Sequence, residues 1–240
     1  MKKLVKLLSV LIVSVSVSIS AIAKQIVVVG TNAEFAPFEY LDKNEIVGFD
    51  IDLLNAISKE TGIEFQIKDM AFDGLLPALQ MKKIDMVIAG MTTTPEREKT
   101  VLFSKPYFTA KQVVITKGED KTLKSFDDLA GKKVGVILGF TGDAVVTEIK
   151  GAKVERFNAA YAAIMALNQG KIDAVVLDSE PAKKYIANAK QLMIANIPAE
   201  EEDYAIAVRK TDKELIEKIN TAVEKLKTNG TYDEILKKYF

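Results

Sequence analysis

The segment AGMTTTPER, residues 89–97, concentrates chemistry in a way no other stretch does. An apolar run ends at Gly90, threonines occupy 92–94, Pro95 follows, and Arg97 falls within the first turn of the helix this order predicts. Proline suits the first helical position, where its missing N–H would be unpaired anyway. Thr94 suits the N-cap. An arginine at that place is electrostatically unfavourable by itself, because a helix N-terminus is already partly positive and prefers acids. An anion held between the guanidinium, threonine hydroxyls and free N–H groups removes the conflict. The segment therefore reads as a carboxylate or phosphate site. The alternative is a surface arginine paired with Glu96 or Glu98.

Gly139-Phe140-Thr141-Gly142 follows another predicted strand and opens another helix, supplying a second hydroxyl and more free N–H groups. It matches neither GxxxxGK[ST] nor GxGxxG, and alone it carries little. Asp178 closes the apolar run 173–177. A carboxylate there either caps the helix that Ser179-Glu180-Pro181 opens or partners a cation. Taken together, an anion site in one part of the chain and a carboxylate in another match the two charged ends of a free α-amino acid. Phe35 and Phe72 lie in loops after the first and second predicted strands. Aromatics so placed grip the alkyl stem of a ligand or cap the core.

Composition narrows the chemistry. The sequence holds no histidine and no cysteine. That excludes disulfides, thiolate nucleophiles, Cys/His zinc sites and any Ser-His-Asp triad. Lys+Arg and Asp+Glu are both 33, so nothing global supports binding to nucleic acid. No metal site and no cofactor are expected. Enzymes working with carboxylates and lysines alone remain open.

The elements that must position these residues alternate. Strands are expected at 25–30, 63–68, 85–90, 112–116, 133–138, 171–178 and 204–208. Helices are expected at 50–61, 74–82, 125–129, 142–149, 159–169, 180–187, 212–227 and 232–239. Asp50 is the expected N-cap of the first helix and Gly62 its stop. The alternation predicts an α/β fold with mainly parallel sheets, and 240 residues suit one large domain or two modest ones. An internal echo favours two: LQMKKIDMVIAG from Leu79 to Gly90 resembles LNQGKIDAVVLD from Leu167 to Asp178, 88 residues on. Each copy reads as a helix end, a Lys-Ile-Asp turn and a strand. Ligands of open α/β sheets bind outside the carboxyl ends of strands, which here are Gly90 and Asp178.

The first 23 residues have a basic start at Lys2, Lys3 and Lys6, an apolar stretch from Leu7, and the small-x-small pattern Ala21-Ile22-Ala23. This is the layout of a cleaved secretory signal peptide. A strand and a membrane anchor are the alternatives. The serine-diluted stretch suits a spanning helix poorly, and with no cysteine there is no lipid anchor. The protein is expected outside the cytoplasm, in the periplasm.

The motifs GTNAEFAPFEY, IVGFDIDLLNAI, AFDGLLPAL, KIDMVIAGMTTTPER, VLFSKPYF, LAGKKVGVILGFTG, KIDAVVLD and NGTYDEILKKYF occur in this order over nearly all of residues 25–240. In them the chain resembles the polar amino-acid substrate-binding proteins of bacterial ABC importers, family 3 of the solute-binding proteins. The resemblance implies a two-lobed α/β fold of type II, with lobe one formed by 24–109 and 205–240 and lobe two by 114–199. Hinges would lie near 110–113 and 200–204. It implies that Arg97, Thr92, Thr141 and Gly142 clamp the α-carboxylate. Asp178 and the Gly90 carbonyl would hold the α-ammonium, and Phe35 and Phe72 would sandwich the side chain. Basic- or amide-specific members often carry aspartate where this chain has Asn32, with Glu34 as the neighbouring acid; Phe140 stands where polar residues often occur. The expected ligand is a basic amino acid, arginine first, if Glu34 faces the cleft, and glutamine if it faces solvent. The expected partners are that free L-amino acid and the membrane permease subunits of an ABC importer, with no nucleic acid, and the protein is expected to be a monomer. Cyclohexadienyl dehydratases resemble the same family, so an enzyme on this fold is the alternative. A sensor or adhesin domain is a third reading.

Overall fold

The computed structural model describes residues 26–187 and 189–240; the expected leader lies outside the described residues. The chain opens with β1 (Ile26–Thr31) and a short antiparallel meander, β2 (Glu34–Phe35), β3 (Glu39–Asp42) and β4 (Glu45–Val47). It continues through α1 (Phe49–Thr61), β5 (Glu64–Asp69), α2 (Leu75–Gln80), β6 (Met86–Val87), α3 (Pro95–Glu98) and β7 (Val101–Phe103). The long β8 (Phe108–Lys117) then leads to β9 (Lys133–Ile137), α4 (Thr141–Glu148), β10 (Lys153–Phe157), α5 (Ala160–Asn168), β11 (Ala174–Asp178), α6 (Ser179–Ile186) and β12 (Leu192–Ile194). Last come β13 (Glu201–Tyr204), β14 (Ala207–Arg209), α7 (Lys213–Thr228) and α8 (Thr231–Tyr239).

Two open sheets result. The first has the order β5-β1-β6-β14-β7, the second β10-β9-β11-β8-β12. Neither is mainly parallel, contrary to the sequence expectation. In the first, β1 runs parallel to β5 and β6, while β14 is antiparallel to β6 and β7. In the second, β9 runs parallel to β10 and β11, while β8 is antiparallel to β11 and β12. The cause is chain routing: β8 enters the second sheet directly from β7, and β14 returns to the first from β13, neither through a crossover helix of the kind parallel neighbours need. The expected strand 204–208 is correspondingly broken in two, Tyr204 ending β13 and Ala207 opening β14.

The helices follow apolar spacing. Ile216, Ile219, Val223 and Leu226 bury one stripe of α7, and Leu53, Leu54 and Ile57 one side of α1. Each such side chain stabilises the fold by about 1.5–3 kcal/mol. The first helix starts earlier than expected. Gly48, and not Asp50, stands at its N-cap. Its opening amides are already satisfied by backbone, Phe49 N–H donating to the Pro37 carbonyl and Asp50 N–H to that of Phe38, both at 2.9 Å. The Asp50 side chain is thus free to turn inward.

The internal echo is a structural repeat. The Asp85 N–H donates to the Val28 carbonyl (2.7 Å) and its carboxylate accepts from Val28 N–H (3.0 Å). Asp173 makes the same pair of bonds to Lys133, at 2.8 and 2.7 Å. One backbone position differs in residue but not in conformation: Lys82 has φ +59° where Gly170 has φ +70°. A side chain in this left-handed region costs about 1–2 kcal/mol, part of it offset by the greater freedom glycine loses on folding. Lys82 is exposed. Lys82→Gly is expected to stabilise the protein by about 0.5–1 kcal/mol, read as a higher denaturant midpoint with an unchanged slope; destabilisation would contradict the strain at this turn.

Candidate ligand-binding site

The residues singled out in the sequence come from loops at the carboxyl ends of strands in both sheets. Thr94 caps α3 as expected, its hydroxyl accepting from Arg97 N–H at 3.2 Å, and Pro95 opens the helix. The loop before it is fastened to the start of the returning segment. Thr93 N–H donates to the Asp203 carbonyl (2.9 Å), Ala205 N–H donates to that of Met91 (3.0 Å), and Thr92 bridges Tyr204. The Arg97 guanidinium is not paired with Glu96, which binds Lys99 instead. It reaches back to the Thr92 carbonyl (2.7 Å) and across to the Gly139 carbonyl on the second sheet (2.9 Å). It also lies 5.4 Å from the centre of the Phe72 ring.

Thr141 and Gly142 open α4, where amides have no intrahelical acceptor. Gly142 is closely packed there: a Cβ would lie 3.0 Å from Gln112 Oε1 and from Val176 Cγ1, so either neighbour would have to give by a few tenths of an ångström. Asp178 occupies the N-cap position of α6 but makes no capping bond with its side chain. Its carboxylate, 3% exposed, instead accepts from the Tyr204 hydroxyl and the Gln112 amide. Asp178 therefore stands at the cap position without capping through its side chain.

Two residues that the sequence reading missed join these parts. Glu202, on β13, accepts hydrogen bonds from Thr92 Oγ1 (2.9 Å), Thr141 Oγ1 (2.7 Å) and Gln112 Nε2 (3.2 Å). The run Glu200-Glu201-Glu202-Asp203 looks like a solvated charge stretch. The signal was period two: on a strand Glu202 shares a face with Tyr204, which is fully buried. Gln112 likewise shares a face with Val114 inside an apolar strand, and is buried.

The aromatic side of the cleft holds three rings. Phe35 is 2% exposed and stacks on Phe38, so it belongs to the core, yet it also meets Phe140 edge-on at 5.2 Å. Phe72 meets the same Phe140 ring at 4.4 Å. Phe140 comes from the second sheet's side and stands between the two predicted walls. Gly90, with φ +51°, passes close beneath: a Cβ there would be 2.4 Å from the Phe35 ring. Asn32 is buried and donates its amide to the Met70 carbonyl at 3.2 Å. The Glu34 side chain is exposed, while its carbonyl accepts from Tyr185 on α6 at 2.9 Å. The part of it that is covered, and the neighbouring Asp69, raise the Glu34 carboxyl above its ordinary value.

Electrostatically, burial and the adjacent Glu202 push the Asp178 carboxyl up to about 7, against the pull of Tyr204, Gln112 and Arg97. Burial likewise lowers the Arg97 guanidinium, opposed by Glu202 and Asp178, but an arginine stays charged. A cation brought beside Asp178 would stabilise its ionised form.

Two α/β units whose polar groups meet at their strand ends define a two-lobed binding protein of type II. Residues 27–240 match the bacterial extracellular solute-binding proteins, family 3. The arginine-binding extracellular protein ArtP of Bacillus subtilis is 37% identical over 223 residues, covering 90% of this chain and 87% of that one. An ancestral arginine-binding protein bound to arginine superimposes with a TM-score of 0.86 at 46% identity, over 90% of this chain and 99% of that one. An ancestral arginine-binding protein bound to glutamine gives 0.85 at 47% identity, over 90% and 98%. The chain belongs to family 3 of the bacterial extracellular solute-binding proteins. These relatives are named for binding and not for catalysis, which sets the dehydratase alternative aside.

Glu202→Gln removes the like charge beside Asp178 while keeping the side chain's size. The Asp178 carboxyl is then expected to titrate clearly below 7, followed by carbon-13 NMR of labelled aspartate. An unmoved titration would show that burial alone sets it.

Proposed function

We propose that the protein captures a free α-amino acid with a basic side chain, arginine first, between its two lobes and hands it to the permease of an ABC importer. One observation carries this reading: a carboxylate, that of Glu202, already sits between the hydroxyls of Thr92 and Thr141. Donors from both sheets thus converge on a group of carboxylate shape. In the proposal Arg97, Thr92, Thr141 and Gly142 take the ligand's α-carboxylate, and Asp178 with the Gly90 carbonyl takes its α-ammonium. Phe35, Phe72 and the added Phe140 flank the stem. Stacking and cation–π attraction favour a guanidinium between such rings. Asn32 uses its amide donor on Met70, which leaves its carbonyl oxygen for a ligand N–H. Asp69, which accepts from Ala33 N–H at 2.9 Å, adds negative charge beside Asn32.

Lobe one would comprise 24–109 and 205–240, and lobe two 114–199. The crossings 110–113 and 200–204 act as hinges; the pairing of β8 with β13 in the register Glu202↔Ala110 and Tyr204↔Phe108 supports their moving as one ribbon. The protein would work in the periplasm as a monomer after loss of its leader; among the described residues no helix is long and apolar enough to cross a membrane. Glutamine is the second reading, favoured by the exposed Glu34 side chain and by the glutamine-bound ancestral relative. Calorimetry with arginine, lysine, histidine and glutamine separates the two: tight glutamine binding with arginine inert would overturn the basic reading.

Arg97→Ala is expected to weaken binding about 30-fold to several-thousand-fold, the equivalent of about 2–5 kcal/mol for breaking one partner of a desolvated charge pair. Unchanged affinity would refute the carboxylate clamp.

The pH dependence has a definite sign. An ammonium binds the ionised form of Asp178, and that form is depleted as pH falls through about 7. Affinity should therefore drop between pH 8 and 5.5, by at most about tenfold per unit. Asp178→Asn should bind more weakly at pH 8, with a flat profile. A flat profile in the unaltered protein would remove Asp178 from the ammonium site.

A further inference from the structure

Beneath the Gly90 turn lies a pair of acids that the proposed binding steps do not use. Glu39, on β3, and Asp50, in the first turn of α1, are both 0% exposed. Asp50 Oδ2 accepts from Gly90 N–H at 2.9 Å and from the Tyr107 hydroxyl at 2.8 Å. Asp50 Oδ1 and both carboxylate oxygens of Glu39 have no donor at all when the two groups are treated as acceptors. The titratable groups facing the pair are Tyr107, Tyr232 and Asp69, none of them a cation. Two buried carboxylates cannot both be charged in such surroundings. The two donors on Asp50 Oδ2 stabilise a charge on Asp50, and nothing equivalent serves Glu39. The proton therefore belongs on Glu39, where it supplies the donor that Asp50 Oδ1 lacks.

We propose that Glu39 is held as a neutral carboxylic acid at physiological pH, donating to Asp50, and that this carboxyl–carboxylate pair is the positioning element for Gly90. Asp50 grips the Gly90 N–H on one side while the Phe35 and Tyr204 rings close on its Cα. The orientation of the following peptide, and with it the Gly90 carbonyl, is set between them. The functional part rests on the reading of Gly90 as an ammonium contact; the protonation part does not. Burial and the nearness of Asp50 raise the Glu39 carboxyl well above its ordinary value, in keeping with this assignment.

The sign for stability follows. A glutamate whose folded pKa is raised contributes fully below its unfolded value, and that contribution is lost as pH rises through the folded one. Glu39→Gln keeps a donor for Asp50 Oδ1 and cannot ionise. The folding equilibrium constant of Glu39→Gln relative to the unaltered protein is expected to rise with pH above 5, by up to about tenfold per unit. Infrared difference spectra at pH 8 should show a protonated-carboxyl stretch in the unaltered protein that is missing from Glu39→Gln. Amino-acid affinity should survive in Glu39→Gln and fall in Glu39→Ala, which leaves Asp50 Oδ1 without a donor. A pH-independent stability ratio, or no protonated-carboxyl stretch at pH 8, overturns the proposal. Absence of the stretch from the unaltered protein overturns the proposal even if a variant fails to fold, and loss of the stretch in folded Glu39→Gln separates it from that of Asp178. If the stretch and the stability ratio behave as expected but no amino acid binds, the binding reading fails and the protonated pair stands.

Discussion

The carboxylate of Glu202 ties three separate elements to one point. Thr92 follows β6 in the first sheet, Thr141 opens α4 behind the second, and Gln112 belongs to β8, which runs between them. A partly buried acceptor needs such donors, and donors need an acceptor, so each hydroxyl is fixed by the same oxygen. Asp178 lies next to this group and is fastened in turn by Tyr204 and Gln112. The nearby guanidinium of Arg97 is directed at two backbone carbonyls rather than at either acid. The two acids thus face one guanidinium that is turned away from both, and burial first, with Glu202 second, keeps the Asp178 carboxyl raised.

The repeat explains how each unit delivers a strand end to the one site. In each unit an aspartate at the base of a strand ties that strand to its parallel neighbour through both N–H and C=O, Asp85 to Val28 and Asp173 to Lys133. The strand's far end then falls at a defined height, Gly90 in one unit and Asp178 in the other. Backbone geometry fixed at the bottom of each sheet sets where chemistry appears at the top.

Much of this was legible in the sequence, and the misses have physical causes. The turn at Thr94–Pro95 and the stop at Gly62, with φ +72°, are local, and local rules found them. Asp50 was misplaced as a cap because its helix is capped by backbone from a loop, a tertiary event that no spacing announces. Glu202 and Gln112 were missed because a polar residue on a strand is normally read as solvent-facing; Glu202 faces inward on β13 where it pairs β8, and Gln112 faces inward opposite Asp178 on β11. Phe140 was legible as an apolar residue where polar ones often occur, but its place between Phe35 and Phe72 depends on how the two units meet.

The order of strands in the first sheet bears on how the molecule comes together. β14, near the end of the chain, lies between β6 and β7, and β7 has no other partner in that sheet. The second sheet's own path, β8 to β12, comes from one uninterrupted stretch. The unit that begins first along the chain is thus completed last, after its partner is already whole. Closing it requires contacts between residues far apart in sequence, and such closures are slow because the intervening loop must be ordered before they form. A chain emerging from its N-terminus would hold an unpaired β6 edge until β14 arrives, so closure of the first sheet awaits a strand about 120 residues further along.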